Sequence, residues 1–371
     1  MPVGLTSPAA VARLAAGFAL PSEVAVAERF GRGHINESWL IVARTETREA
    51  RYLLQRINDH VFPRPALVMD NIVRVTAHLA EVLAREGVPD AERRTLTLVP
   101  TRDGAWYHVD ETNGHWRLFH FIERAVAREC AADARAAYLA ARAFGEFQRR
   151  LGDYRGPPLH ETIPRFHHTP DRLAALERAI EADRHHRCAA ARPEIGLAMA
   201  HRSLASVLLD HHSRGAIPER VVHNDAKVSN VLFDASTGEA LCVVDLDTVM
   251  AGLALYDFGD MARSMVTFAA EDETDLTLVT VQLDMFEAIA RGYLDGAGNL
   301  LSATERGLLV AAARVITYEQ GVRFLTDFLS GDGYYRTERP GHNLDRCRNQ
   351  FALLEALNQA EPELRRRLAR L

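Results

Sequence analysis

The spacing of apolar positions along this chain changes part-way. Between residues 21 and 126 apolar and polar residues alternate in short β-prone runs, such as Trp39-Leu40-Ile41-Val42 and Tyr52-Leu53-Leu54, broken by turn residues. The turn Glu111-Thr112-Asn113-Gly114 predicts a hairpin over residues 105–121. Residues 69–86 repeat their apolar positions at helical spacing and predict the one helix of this part. From Ala127 onward the helical period dominates. A short hairpin interrupts it, with Val231-Leu232-Phe233 and Leu241-Cys242-Val243-Val244 joined by turn residues over 234–239. Ser7-Pro8, ahead of the apolar run 11–20, reads as an N-cap with proline at the first helical position. The start is therefore expected to be a short amphipathic helix and not a secretion signal. The pattern predicts an α+β chain with an N-terminal helix over 1–20, a small β-rich lobe over 21–122 and a larger, mostly helical lobe over 123–371.

Composition narrows the function classes. With 371 residues, 47% hydrophobic and 25% charged, the chain has the make-up of a soluble globular protein with room for two cores. A net charge of −6 carries no basic footprint for nucleic acid, and no apolar run reaches the length of a membrane span. Cys130, Cys188, Cys242 and Cys347 stand far apart without a Cys-x-x-Cys, so reduced thiols in a cytoplasmic enzyme are expected. The pairs His167-His168, His185-His186 and His211-His212 lack zinc-site spacing and are expected to be solvated.

The chemistry concentrates around the interrupting hairpin. His223-Asn224-Asp225 is followed by Asn230, and the second apolar run ends in Asp245-Leu246-Asp247. Phosphoryl transfer needs a carboxylate beside the acceptor hydroxyl, and an amide and a carboxylate to hold magnesium on the phosphates. A hairpin centred between Thr237 and Gly238 predicts Asn230 opposite Asp245, about 5 Å apart on one face, with Asp247 two residues on along that face. Hard oxygen donors of this kind suit magnesium. Asn230, Asp245 and Asp247 are thus the expected metal ligands and Asp225 the catalytic carboxylate, with His223 bracing the loop. Lys227 is either aimed at the γ-phosphate or a surface loop lysine.

A β-rich lobe followed by a helical lobe carrying this motif is the two-lobed protein-kinase-like plan, with nucleotide expected in the cleft. Backbone groups of Phe121 and Glu123 at the join are expected to meet adenine, and Gly31-Arg32-Gly33-His34 to cover phosphate. Where a protein kinase carries a lysine on its third strand, Gln55 stands here. Gln55, Arg56 and Lys227 are therefore the candidates for the triphosphate. Glu319 and Arg323 have the spacing of an i, i+4 surface pair. The acidic run at 271–275 reads as an exposed helix start, and residues 156–170 as a loop over the helical lobe.

At these motifs the chain resembles the aminoglycoside phosphotransferase and choline kinase group, protein-kinase-like enzymes that phosphorylate small molecules. Within that group it is similar to the N-acetylhexosamine 1-kinases. Beyond the hairpin the likeness is carried by Gly33-His34-Ile35-Asn36, Tyr52-Leu53-Leu54-Gln55-Arg56-Ile57-Asn58, Val61-Phe62-Pro63, Tyr256-Asp257-Phe258-Gly259-Asp260, Gly321-Val322-Arg323-Phe324-Leu325 and Gly331-Asp332-Gly333-Tyr334-Tyr335. The glutamine at the lysine position fits that subgroup. The resemblance implies ATP- and Mg2+-dependent phosphorylation of the anomeric hydroxyl of N-acetylglucosamine or N-acetylgalactosamine, with His34, Arg323 and Tyr334 as sugar contacts beside Asp225. Ser264 departs from the aromatic residue expected at its place. The alternatives are the same chemistry on an aminoglycoside, choline, homoserine or a neutral hexose, and a nucleotide-binding scaffold without catalysis.

Overall fold

The computed structural model describes residues 7–31, 35–45 and 49–371. The chain forms two compact units: Met1–Ala125 with Gly156–Ile163 and Val244–Thr248, and Val126–Arg155 with Pro164–Val243 and Val249–Leu371.

In the first unit, alternation builds an antiparallel sheet from Glu23–Arg29, Glu37–Arg44, Glu49–Arg56, His115–His120 and Leu98–Val99, in that spatial order. His108–Val109 pairs back on the His115 strand, forming the predicted hairpin. Its turn is closed by Asp110, which accepts from the backbone of Thr112 and Gly114 and from the Trp116 indole at 2.7 Å. One sheet face packs Trp39, Ile41, Tyr52, Leu54, Trp116 and Leu118 against Val11, Leu14 and Phe18. The Ser7 hydroxyl caps the helix Pro8–Ala15 that carries Val11 and Leu14. Because side chains alternate, the opposite face carries Ser38, Gln55 and Arg117, and the register lines them up: Ser38 opposite Gln55, Gln55 opposite Arg117.

The helix of this unit spans Pro65–Glu86, starting one turn earlier than its apolar spacing predicts because Pro65 is preorganised for the first helical position. It ends at Gly87, whose φ of 63° satisfies the left-handed C-cap. Residues 156–163 belong to this unit and pack on this helix, which corrects the expectation for the first half of that loop. The Asn71 side chain exchanges hydrogen bonds of 2.8 and 2.9 Å with the backbone of His160, and Arg74 reaches the carbonyls of Pro157 and Pro158.

The second unit is built on the helices Ala134–Leu151, Ala254–Met265, Leu283–Ala297, Leu309–Leu329 and His342–Leu368. The first and third of these touch backbone to backbone at glycines: a Cβ on Gly145 would stand 2.7 Å from the Ala297 nitrogen. Residues 271–275 form a loop where a helix start was expected. Glu271 is drawn to Arg263 at 2.7 Å, Asp272 to His342 at 3.0 Å, and Asp275 caps the short 3-10 turn Leu276–Leu278.

The strand Glu219–Val222 pairs antiparallel with Met250–Leu253. The interrupting hairpin forms from Val231–Asp234 and Ala240–Val243, but one residue out of the predicted register. Val231 pairs with Val243 and Leu232 with Cys242, with a bulge between Ala240 and Cys242. The cause is Asp234, whose carboxylate accepts from the amides of Ser236 and Thr237 while its carbonyl accepts from Gly238. This local turn takes extra residues out of the ladder. Asn230 lies in the 3-10 turn Val228–Asn230, and Asp245 lies past the strand end with φ 62°, so neither belongs to the ladder that the turn rule predicted. Among the described residues no helix is long and apolar enough to cross a membrane.

Candidate active site

The loop from His223 to Lys227 is held from several sides. The His223 ring is buried between Phe144 and Phe147, at 5.3 and 5.8 Å, and its Nδ1 accepts from the Asp225 amide at 3.3 Å. Asn224 adopts a left-handed conformation with φ 65°, which asparagine tolerates better than most residues. Asp257 fixes that bend by accepting the amides of His223 at 2.9 Å and Asn224 at 2.7 Å, while Gln148 donates to the same carboxylate at 2.5 Å. Burial pushes the Asp257 pKa up, against the pull of His223 and these donors. Gly252 leaves room for the bend, since a Cβ there would meet Val222 Cγ2 at 2.7 Å and Asn224 Oδ1 at 3.0 Å.

Asp225 receives Lys227 Nζ at 2.9 Å and the Asn230 side-chain amide at 2.9 Å. The same Asn230 nitrogen reaches the Asp225 carbonyl at 2.8 Å, which turns its own carbonyl oxygen away from Asp225. Burial would raise the Asp225 pKa, but the charges of Lys227 and His223 and the Asn230 hydrogen bond hold it down at about 2. The carboxylate is therefore ionised throughout the neutral range. A carboxylate of this kind can orient a hydroxyl and is a weak proton acceptor, which is compatible with a loose phosphoryl transition state. Asp225, Lys227 and Asn230, expected together from their spacing, are brought together.

A second group lies in the first unit. Gln55 Oε1 accepts from Arg117 Nε at 3.2 Å and Nη2 at 3.0 Å, and Gln55 Nε2 donates to Ser38 Oγ at 3.0 Å. Arg117 Nη1 donates to Asp247 Oδ1, and Asn36 Nδ2 donates to Asp247 Oδ2 at 2.6 Å. Asp247 is thus engaged at both oxygens and buried, whereas Asp245 is half-buried. Arg56 belongs to the other face of its strand from Gln55 and aligns with Trp116. Gly31 has φ 73° with open space on its side-chain side. Gly33 and His34 lie outside the described residues.

At the join, the Phe121 amide donates to Arg51 O at 3.0 Å, and the Glu123 carbonyl accepts from Arg93 Nη2 at 3.0 Å. Arg51 pairs with the Glu123 carboxylate and stacks over the Phe121 ring at 4.6 Å.

A third group surrounds Arg323 on the helix Leu309–Leu329. Its guanidinium lies 4.9 Å from the Phe166 ring and 5.7 Å from the Tyr335 ring, and Tyr334 meets Tyr335 edge to face at 4.9 Å. Asp327 presents the two tyrosines by accepting both of their amides at 2.9 Å. Burial would lower the Arg323 pKa, but the phenols of Tyr335 and Tyr334 and the Glu319 carboxylate raise it, so the charge is permanent. Glu319 is not the surface partner its spacing suggested. It is buried, and accepts from His167 Nδ1 at 2.8 Å and Thr169 Oγ1 at 2.6 Å. His167 is likewise buried rather than solvated, because Glu319 and the Asn224 carbonyl supply the partners that water would otherwise provide.

Residues 26–294 match the model of the phosphotransferase enzyme family. This chain belongs to that family. Solved structures extend the likeness over nearly all of it. An aminoglycoside phosphotransferase from Alicyclobacillus acidocaldarius superposes with a TM-score of 0.58 at 12% identity, covering 97% of this chain and 96% of that one. A choline/ethanolamine kinase family protein from Mesorhizobium loti gives 0.53 at 20% identity, with 97% of each chain covered. Spectinomycin phosphotransferase, solved with ADP and spectinomycin, gives 0.52 at 11% identity, covering 97% of this chain and 99% of that one. At these identities the structures establish the kinase-like fold, as expected from the chain's β-rich and helical halves.

In this phosphotransferase, motif spacing missed Asp257, Arg117, Glu319 and His167. Arg117 had a visible signal: it is the one charge in His115-Trp116-Arg117-Leu118-Phe119-His120, on the face opposite Trp116 and Leu118. Asp257 stood inside a quoted motif without an assigned role. His167 and Glu319 had no local signal, since their partners are 57 to 152 residues away.

Proposed function

We propose that this phosphotransferase uses ATP and magnesium to phosphorylate the anomeric hydroxyl of N-acetylglucosamine or N-acetylgalactosamine. The observation that carries the acceptor side is the permanent charge of Arg323, seated over Phe166 and Tyr335 beside Tyr334. A guanidinium and phenols suit sugar hydroxyls and an acetamide carbonyl. The fixed positive charge of the guanidinium disfavours the quaternary ammonium of choline and the amines of an aminoglycoside. The acidic run that would attract such cations is already engaged, through Glu271 with Arg263 and Asp272 with His342.

Asp225 orients the hydroxyl and takes its proton as the phosphoryl group leaves ATP. Lys227 is released toward the γ-phosphate, which also lets the Asp225 pKa rise as the proton arrives. The Asn230 carbonyl oxygen and the Asp245 carboxylate are hard donors of the kind magnesium takes, with Asp247 assigned to assist. When bound there, magnesium would neutralise charge on the β- and γ-phosphates. The Phe121 carbonyl and the Glu123 amide are assigned to the adenine edge. Gly31 and Gly33 cover phosphate, and His34 adds a sugar contact.

The test is an acceptor panel of free hexosamines, neutral hexoses, homoserine, choline, an aminoglycoside and no acceptor, with product phosphate located by NMR. Phosphate on O1 of an N-acetylhexosamine is the expected result, with the methyl glycoside inert and the 6-deoxy sugar used. Turnover of the methyl glycoside at the free sugar's rate, or phosphate on O6, excludes the 1-kinase reading. ATP binding without turnover on any acceptor would favour a scaffold.

A further inference from the structure

His167, Glu319, Thr169 and Asn224 form a buried network that phosphoryl transfer as described does not employ. His167 Nδ1 lies 2.8 Å from a Glu319 carboxylate oxygen, and Nε2 lies 2.9 Å from the Asn224 backbone carbonyl. Thr169 donates to the second Glu319 oxygen at 2.6 Å, so that carboxylate acts as an acceptor at both oxygens. A carboxylate and a carbonyl can only accept. A neutral imidazole carries one N–H and cannot serve both, so this geometry requires a ring protonated on both nitrogens.

We propose that His167 is a positioning residue, held as an imidazolium, that fixes the Asn224 peptide and through it the direction of the Asp225 carboxylate. The inference rests on the reading of Asp225 as the carboxylate beside the acceptor. Asn224 is buried at 3% exposure and bent into the left-handed region, with its amide tied to Asp257 and its carbonyl tied to His167. Loss of the His167 donor removes the charge-assisted hydrogen bond that sets the direction of this carbonyl, and the peptide is free to turn. Asp225 is the next residue, so its carboxylate moves with that turn. The same short segment places Phe166 under Arg323, so one stretch of chain supports both the acceptor-side guanidinium and the catalytic loop.

The groups facing the ring are few. Glu319 and Arg323 come from the helix Leu309–Leu329, and the Tyr256 ring stands 5.0 Å away on the helix Ala254–Met265. Asn224 comes from the loop. Burial lowers the His167 pKa, but Glu319 and the Asn224 carbonyl raise it above its ordinary value, with Arg323 opposing. Burial raises the Tyr256 pKa and keeps that phenol neutral.

As pH rises and the ring loses a proton, the remaining one stays on Nδ1 against the Glu319 carboxylate, and Nε2 turns a lone pair toward the Asn224 carbonyl. Glu319→Gln reverses this preference. Its amide can donate to Nδ1, so a neutral ring keeps its proton on Nε2 and its bond to Asn224. The experiment uses the full-length protein in three forms: wild type, His167→Gln and Glu319→Gln. Ring nitrogen-15 spectra at about pH 7.5, above the ordinary histidine pKa of about 6.5, should show both His167 nitrogens as N–H in the wild type, assigned by their loss in His167→Gln. Wild-type kcat should fall along an alkaline limb that Glu319→Gln lacks, with KM for ATP within about twofold. His167→Gln should lower kcat by about tenfold or more at unchanged KM for ATP, the range for losing a charge-assisted hydrogen bond. A neutral wild-type ring, or an alkaline limb that Glu319→Gln leaves in place, overturns the inference. The spectra need no acceptor, so a wrong acceptor assignment leaves them unchanged, whereas a neutral ring refutes the His167 role with the kinase reading intact.

Discussion

Arg117 and Asp247 form an ion pair with side-chain exposures of 2% and 1%, closed from solvent on both sides. Gln55, at the position where a protein kinase carries its lysine, accepts two hydrogen bonds from that same guanidinium. The cation of this sheet face stands on the strand next to Gln55, held between a glutamine and an aspartate. Removing one partner of a buried pair typically costs about 3–5 kcal/mol because the other charge stays buried. Arg117→Met should lower stability by about that amount in urea unfolding, and Arg117→Lys should recover part of it. Equal stability of Arg117→Met and wild type would show that Asp247 finds compensation elsewhere.

Asp225→Asn should retain ATP binding and lose kcat by about 10²–10⁴, the usual contribution of a positioned base. Near-full turnover in this variant would remove Asp225 from the mechanism.

The three acidic and amide ligand candidates should separate by phenotype. Asn230→Ala and Asp245→Ala should raise the magnesium concentration for half-maximal rate while unfolding remains cooperative. Asp247→Asn should act mainly on stability, since both of its oxygens already have protein donors. Unchanged magnesium dependence in both Asn230→Ala and Asp245→Ala would reject the ligand assignment.

Stability should fall at both ends of the pH range, for different reasons. Asp225 is held at about 2, below its ordinary value of about 3.9, so its contribution is present above the ordinary value and lost as pH falls toward the folded one. His167 is raised, so its contribution is full below about 6.5 and lost as pH rises through its folded value. Urea midpoints against pH should flatten on the acid side in Asp225→Asn and on the alkaline side in His167→Gln. A curve unchanged by either substitution would assign the titration to other groups.

Local periodicity carried much of the fold. The alternation that places Trp39 and Tyr52 inward is the alternation that places Ser38 and Gln55 together on the other face. The loop proposed for catalysis was legible because Asp225, Lys227 and Asn230 lie within a few residues of one another and meet in the fold. The hairpin register was not, because the Asp234 side chain competes with the ladder for amides and shifts the pairing by one residue. His167 looked like a solvated loop histidine because nothing near it in the chain resembles a partner; only tertiary folding brings Glu319 and the Asn224 carbonyl to its two nitrogens. Asp257 stood in a recognisable motif, but its work is done through backbone amides, which leave no trace in side-chain spacing.

The discontinuous make-up of the first unit has a consequence for synthesis on the ribosome. Its sheet is finished in the chain by His120, yet the counter-charge of Arg117 lies 130 residues further on. At about 5–20 residues per second, on the order of ten seconds separate the appearance of the guanidinium from that of Asp247. Through that interval the nascent sheet carries the Arg117 cation without the carboxylate it is buried against in the finished fold. The N-terminal part should therefore stay open to proteases until residue 248 has emerged, and a fragment stopping at Ala125 should remain sensitive where the full chain resists.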